Sequence, residues 1–230
     1  MKLNILPPFF VVSLFIFTPA YSQKSFAILR GGVNFANVST TSDGRIANAN
    51  MLTSLQVGIT GNIHIAPFFN FQPGVVVTGK GSKTQSGSTS DATYFRATSN
   101  PWYIEIPANF VFRSPGPLKF FAGAGPYLAI GVAGKNKTDG KYLGVAFHSE
   151  KNIQWSNDDP TTLNYEEGSG LGIMKRFDYG LNGIAGIETK SAVLSVNYGL
   201  GLAKLQSGSN SSADDNNKHR VLSFTIGFKL

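Results

Sequence analysis

The side chains able to carry catalysis are few and scattered. The chain has three histidines, His64, His148 and His219, and no cysteine, so a disulfide framework and a thiolate-held metal are both excluded. Hydrolysis by a lipid-acting enzyme would need His148 or His219 to activate a serine oxygen, with a carboxylate orienting the ring. No spacing brings those three types together. Asp158-Asp159 and Glu166-Glu167 could offer oxygens to a divalent cation, yet adjacent acids in a polar segment read more simply as solvated. Gly74 to Gly81 (GVVVTGKG) carries the glycines and the lysine of a phosphate-binding loop. Gly81, however, stands where the magnesium-binding hydroxyl belongs, and VVVT is strand rather than loop. Gly168 to Gly172 (GSGLG) follows no strand that could hold a nucleophile on a strained turn. The sequence thus yields no catalytic, cofactor-binding or metal-ligating set, and the expected protein is not an enzyme.

One set of polar residues does form a pattern. Arg30, Asn34, Gln56, His64, Gln72, Glu105, Asn109, Arg113, Asp178, Asn182, Glu188, Asn197 and Lys229 fall on one parity of stretches whose other parity is apolar. In Pro101 to Gly134, Trp102, Ile104, Ile106, Ala108, Phe110 and Phe112 oppose Tyr103, Glu105, Asn109 and Arg113. After the turn Ser114-Pro115-Gly116-Pro117 a second run rich in glycine and aromatics follows. This is a β-hairpin whose arms suit the roughly 9–11 tilted residues that cross a bilayer.

Eight such strands are predicted: Phe26–Val38, Met51–Ile65, Phe69–Lys80, Trp102–Arg113, Lys119–Gly134, Ile173–Thr189, Ala192–Leu205 and Lys218–Leu230. The connections alternate. Ala66 to Phe68, Ser114 to Leu118 and Lys190-Ser191 are short, whereas Ser39–Asn50, Gly81–Pro101, Lys135–Gly172 and Gln206–Asn217 are long. That is the layout of an eight-stranded antiparallel up-and-down transmembrane β-barrel of the outer-membrane type, with short periplasmic turns and long extracellular loops. Closure removes the sheet edges that lipid cannot satisfy.

A soluble lipocalin-like barrel shares the strand count but turns its apolar face inward around a ligand. Here the polar parity is built of Gly, Asn, Gln, Ser and Thr with few charges, which suits a crowded interior better than a wet surface. Only 14% of the 230 residues are charged, against roughly 25% in a soluble domain. Aromatics cluster towards the strand ends: Phe26, Phe68, Phe69, Phe110, Phe112, Phe120, Phe121 and Phe228 on the short-turn side, and Phe35, Tyr94, Phe95, Trp102 and Phe177 on the other. Such girdles mark the two bilayer interfaces. Pro73, Pro107 and Pro126 remove ladder donors, so bulges or irregular pairing are expected there. Met1 to Ser22 has the charged start, the apolar core and the small-x-small end of a signal peptide, leaving residues 23–230 as the barrel domain. The formal charge of +7 is scattered and shows no nucleic-acid footprint; it suits solubility at the surface or attraction to the anionic headgroups of outer-membrane lipid.

Across FQPGVVVTGKG (71–81), YIEIP (103–107), FFAGAGPYLAIGVAG (120–134), FDYGLNGIAGIE (177–188) and the closing SFTIGFKL, the chain resembles the PorT-like outer-membrane β-barrel domain family of Bacteroidota-type bacteria. The resemblance spans essentially the whole chain after residue 22. It implies an eight-stranded barrel in the bacterial outer membrane, and its name-giving member takes part in protein secretion. Where the family usually closes on an aromatic, Phe228 is followed by Lys229-Leu230.

Eight strands leave a lumen just wide enough for side chains, so Arg30, His64, Glu105, Arg113, Asp178 and Glu188 are expected to form a neutralising network there. In it Glu105 and Glu188 would pair with Arg30 or Arg113. No cofactor is expected. The role expected is structural or interactive, with Tyr142, Phe147, Trp155 and Tyr165 of the third long loop as candidates to meet another envelope protein. An accessory role in secretion, a lipid-modifying enzyme and a small-solute pore are the alternatives.

Overall fold

Period-two alternation extends the chain because successive side chains leave opposite faces. The computed structural model describes residues 25–42, 45–48, 51–157, 173–205 and 217–230. Met1 to Ser22, Asp158-Asp159, Glu166-Glu167, Gly168 to Gly172 and Tyr165 lie outside the described residues. The strands are β1 (Phe26–Ser42), β2 (Arg45–Asn48), β3 (Leu52–Ala66), β4 (Phe69–Gly79), β5 (Ser82–Ser86), β6 (Tyr94–Arg113), β7 (Lys119–Tyr142), β8 (Val145–Asn152), β9 (Gln154–Trp155), β10 (Ile173–Met174), β11 (Phe177–Glu188), β12 (Ala192–Gly201) and β13 (Lys218–Lys229).

Eight of them, β1, β3, β4, β6, β7, β11, β12 and β13, close into an antiparallel ring in chain order. The closing ladder pairs β1 with β13 from Ile28↔Lys229 to Ser39↔Lys218. Closure leaves no unpaired ladder facing lipid, where each unsatisfied backbone group would cost several kcal/mol.

The apolar parity faces outward: Leu29, Val57, Ile59, Leu128, Leu181, Leu194 and Ile226 are all exposed on the barrel wall. An apolar surface that runs round a closed ring suits contact with lipid. Near the short turns Phe68 packs on Phe112 and Phe69 stacks on Phe110, with ring centroids 6.0 Å apart in both pairs. Two residues expected in this girdle are not part of it. Phe121 is buried inside the barrel, and Phe26 packs against the same interior cluster.

Pairing is interrupted beside Pro73 and Pro107 without a change of register, so a proline simply omits its bond. Pro126 pairs with Leu181 in an unbroken ladder on the β11 side, while on the β6 side pairing lapses at Pro126 and Gly125. The register shifts occur elsewhere, at His64/Ala66 and Trp102/Tyr103. Glycine is required where β6 and β7 approach most closely. A Cβ on Gly125 would stand 2.0 Å from the Ala108 carbonyl oxygen, and one on Gly123 2.1 Å from that of Phe110.

The expected long loops are in part strands. β6 has 20 residues and β7 has 24, about twice what a bilayer needs. Beyond the Trp102/Tyr103 bulge they stay paired from Pro101↔Gly134 to Tyr94↔Lys141. β5 joins β6 on one side and β8 joins β7 on the other. A four-stranded sheet therefore rises from the extracellular rim. The stretch expected as one strand from Ile173 is divided, because β10 pairs in parallel with β9 and only β11 enters the barrel wall.

Candidate functional site

The lumen is stacked in layers. Nearest the periplasm, Arg113 Nη2 lies 2.9 Å from Glu188 Oε2 and donates to Asn62 Oδ1 at 2.8 Å. Lys229 donates to the other Glu188 oxygen, and Phe26 lies under both cations at 5.5 and 4.6 Å from its ring centre. Of the two partners expected for Glu188, Arg30 and Arg113, the one it meets is Arg113. His64 lines the vestibule of about 940 Å³ below this layer, together with Lys119 and Lys190; it has no place in the ion-pair layer itself.

Above comes an apolar layer of Ile28, Val111, Phe121, Ile184 and Val193, all buried. These residues interrupt the polar parity of their strands. An apolar residue among the polar ones is a signal the sequence did carry.

The next layers are polar. Ser195 and Thr225 share a hydrogen bond of 2.5 Å, and Asn34 donates to Thr78 Oγ1 at 2.8 Å. Higher still, Lys80 Nζ stands 2.7 Å from Glu105 Oε2 and 2.9 Å from Asp178 Oδ2. Its side chain is 3% exposed. The ammonium lies 4.0 Å from the centre of the Tyr127 ring, and the Tyr127 hydroxyl donates to Asp178 at 3.1 Å. Asn182 donates to the remaining Glu105 oxygen at 3.1 Å. One lysine thus serves two carboxylates in a region that water barely reaches, and Tyr127 and Asn182 add a hydrogen bond to each acid.

This centre corrects the expected pairing in two respects. Glu105 pairs with Lys80, not with Arg30 or Arg113, because Lys80 extends the inward parity of β4 through Val76 and Thr78. The glycines around it read as a strand end and hid it. Arg30 is buried but has no acidic partner among the described residues; it lines a cavity of about 40 Å³ with Gln56, Asn109, Asn182 and Asn197. At 10–15 Å³ for each water, that space holds a few waters.

His219 closes the stack. It is buried against Tyr103, with Nε2 3.3 Å from the hydroxyl and the rings 5.4 Å apart. Trp155 caps Tyr103 at 5.6 Å between ring centres and sits against Ile153, Met174, Leu205 and Val38. Trp155, expected on an outward loop, is therefore a stopper in the extracellular mouth. A Cβ on Gly131 would strike its indole at 2.3 Å, so Gly131 makes the room that the stopper fills.

Two of the other loop candidates stand free of the mouth. Tyr142 ends β7, and Phe147 lies on β8 over Gly140. On the outward side of this sheet Lys135 and Lys137 share Glu150 at 2.6 and 2.9 Å. Their hydrogen bonds, Lys135 first, hold the Glu150 carboxyl down at about 2. His148 Nδ1 meets Asp139 at 2.6 Å. The same face of β8 offers Ala146, Glu150 and Asn152 as neighbours, so no serine completes a hydrolytic set. Among the described residues no cluster of three or more acids or histidines could hold a metal.

Residues 21–207 match the family described as "Outer membrane protein beta-barrel domain". The chain belongs to that family. A closed ring with an apolar exterior is its architecture here, and it places the protein in the bacterial outer membrane. Among solved structures the barrel is similar to Ail, the attachment invasion locus protein of Yersinia pestis, at 13% identity over 90% of this chain and 100% of that one, with a TM-score of 0.42. OprG of Pseudomonas aeruginosa matches at 14% identity, 90% and 95% coverage and a TM-score of 0.42. Neisserial surface protein A matches at 13%, 90% and 99%, with 0.39. No curated protein matches the chain.

Lys80 compensates two buried acids, so Lys80→Ala should lower stability by about 3–5 kcal/mol. Glu105→Ala should cost less, because Asp178 keeps Lys80 paired. Urea unfolding midpoints of the barrel in lipid vesicles measure both, and equal midpoints would reject the pairing. A lumen crossed by an apolar layer and capped by Trp155 should give no steady single-channel current in a planar bilayer; a stable open channel would show that the layers part.

Proposed function

We propose that this outer-membrane barrel is a closed, non-catalytic scaffold that holds its extracellular sheet out to another envelope protein. The observation that supports the reading is the tip of the β7–β8 hairpin. Tyr142, Leu143, Val145 and Phe147 are 64%, 74%, 72% and 45% exposed. At about 3.3 Å per residue the tip lies roughly 30 Å along the strands from the Trp102/Tyr103 bulge, well clear of the lipid that would otherwise account for apolar exposure.

The turn itself is costly. Leu143 and Gly144 take φ of 49° and 85°, the left-handed pair of a tight hairpin turn in which Asn or Asp and Gly are the favoured residues. A leucine in that conformation costs on the order of 1–2 kcal/mol, and here it buries nothing in return. A residue that breaks both its local preference and the rule against exposed apolar surface fits a contact made by another molecule. Gly144 N–H donates to the Ala92 carbonyl at 3.0 Å, which ties the tip to the neighbouring connection and holds it in place before any partner arrives.

The PorT-like resemblance supports a narrower version, in which the partner belongs to a protein-secretion assembly. A photo-crosslinking amino acid at position 143 in intact cells should trap a discrete protein adduct. Leu143→Asn introduced together with Tyr142→Ser should abolish tip binding by that adduct's protein while the barrel keeps its heat-modifiable mobility. Adducts to lipid alone would reject the partner. For the narrower version, deletion should leave cargo in the periplasm, and unimpaired secretion would remove it.

A further inference from the structure

The outward face of the extracellular sheet continues the lipid-facing wall below it, and cations concentrate on that face. On β7 the exposed Leu128, Ile130 and Val132 of the wall give way, across the bulge, to Lys135, Lys137, Asp139 and Lys141 on the same outer side. The cross-strand register assembles rows. Lys83, Thr98, Lys137 and Glu150 form one; Gln85, Arg96, Asp139 and His148 form the next. Arg96 donates to Gln85 at 3.2 Å, and Lys135 and Lys137 share the single carboxylate of Glu150. Five cations (Lys83, Arg96, Lys135, Lys137 and Lys141) thus face outward with two acids, Asp139 and Glu150. The inward positions of the same four strands carry one cation, Lys151 opposite Asn136, and no acid.

A charge placed only for solubility would have no reason to prefer the outward face, since both faces of a sheet above the membrane meet water. Successive outward rows stand about 7 Å apart, so those of Lys135, Lys137 and Arg96 lie about 7, 13 and 20 Å along the strands above the bulge, each row within about one Debye length of the next. Side chains at that height and pointing sideways reach the headgroup layer of the lipid that already wets Leu128 and Val132.

We propose that this face binds the phosphate groups of the phosphorylated glycolipid in the outer leaflet. Lys83, Arg96, Lys135 and Lys137 supply the donors, Arg96 through the Nη1 side of its guanidinium, since Nε and Nη2 both donate to Gln85 Oε1. Glu150 holds the two lysines in place and leaves a surplus charge between them. The inference rests on the membrane-barrel fold alone and does not require the hairpin-tip contact.

The test uses the full barrel reconstituted in nanodiscs containing glycolipid from its own outer membrane, either intact or treated with phosphatase. Native mass spectrometry after detergent washing counts the glycolipid retained by each barrel. Intact glycolipid should stay bound and the dephosphorylated form should wash away. In the Lys83→Gln/Lys137→Gln double variant, retention should fall about fivefold for each cation removed, which corresponds to about 1 kcal/mol per cation near an anionic surface. Equal retention of the two glycolipid forms by the unaltered barrel overturns the proposal, and so does full retention by the folded variant. The comparison of lipids on the unaltered barrel decides the matter even if the variant does not fold. Crosslinking at position 143 is read separately, so loss of lipid binding and loss of the protein partner are distinguishable.

Discussion

Lipid supplies no hydrogen-bond partner, and this one fact shapes the whole molecule. Every backbone N–H and C=O in the bilayer must be satisfied by the chain itself, so the sheet closes on itself. With eight strands the enclosed space is narrow enough that side chains fill it. The lumen is then a poor solvent into which the inward parity drives polar groups, and each charge admitted there needs an opposite one at hand. Lys80 between Glu105 and Asp178, and Glu188 between Arg113 and Lys229, are consequences of closure. The apolar layer of Ile28, Val111, Phe121, Ile184 and Val193 separates the two centres and keeps the lower vestibule from running into the upper cavity.

Much of this was legible in the residues. Alternation identified all eight wall strands, their order, the outward face and most of the inward polar set, because period two is fixed by the geometry of an extended chain. The partners inside were harder to read. Which inward residues meet across a lumen depends on tilt and stagger, and alternation along single strands does not specify either. For Glu188 alternation left Arg30 and Arg113 open, and the structure decides for Arg113, which lies with it at the short-turn end. Glu105 could not be paired, since Lys80 sits between Gly79 and Gly81 and resembles a strand end. Lys80 becomes an inward residue only when Val76 and Thr78 are followed one step further.

The extracellular sheet was hidden for a different reason. Above the membrane both faces of a strand can be wet, so the alternation that marks the wall fades, and Ser, Thr, Asn and Gly there look like loop. What holds β6 and β7 extended is their mutual ladder, continued from the barrel, and each then templates one more strand. Trp155 shows the same limit of local reading. An aromatic in a polar segment invites a surface role, yet Gly131 and Tyr103 had already shaped a seat for it at the mouth.

Seen from both sides of its wall, the barrel uses charge in two distinct ways. Inside, cations and acids meet in two close groups, Lys80 with Glu105 and Asp178 and Glu188 with Arg113 and Lys229, while Arg30 stands apart from both among polar side chains. On the outward face of the projecting sheet the balance is deliberately uneven, with Lys135 and Lys137 drawing on one Glu150, and an uncompensated field at that position acts on whatever lies beside the barrel. The upper cavity has room only for a few waters. Above the rim the chain offers two surfaces of opposite character: a basic flank turned towards the headgroups and an apolar tip carried beyond them. The flank would hold the sheet upright against the lipid layer, and an upright sheet is what keeps the tip clear of the membrane and open to a second protein.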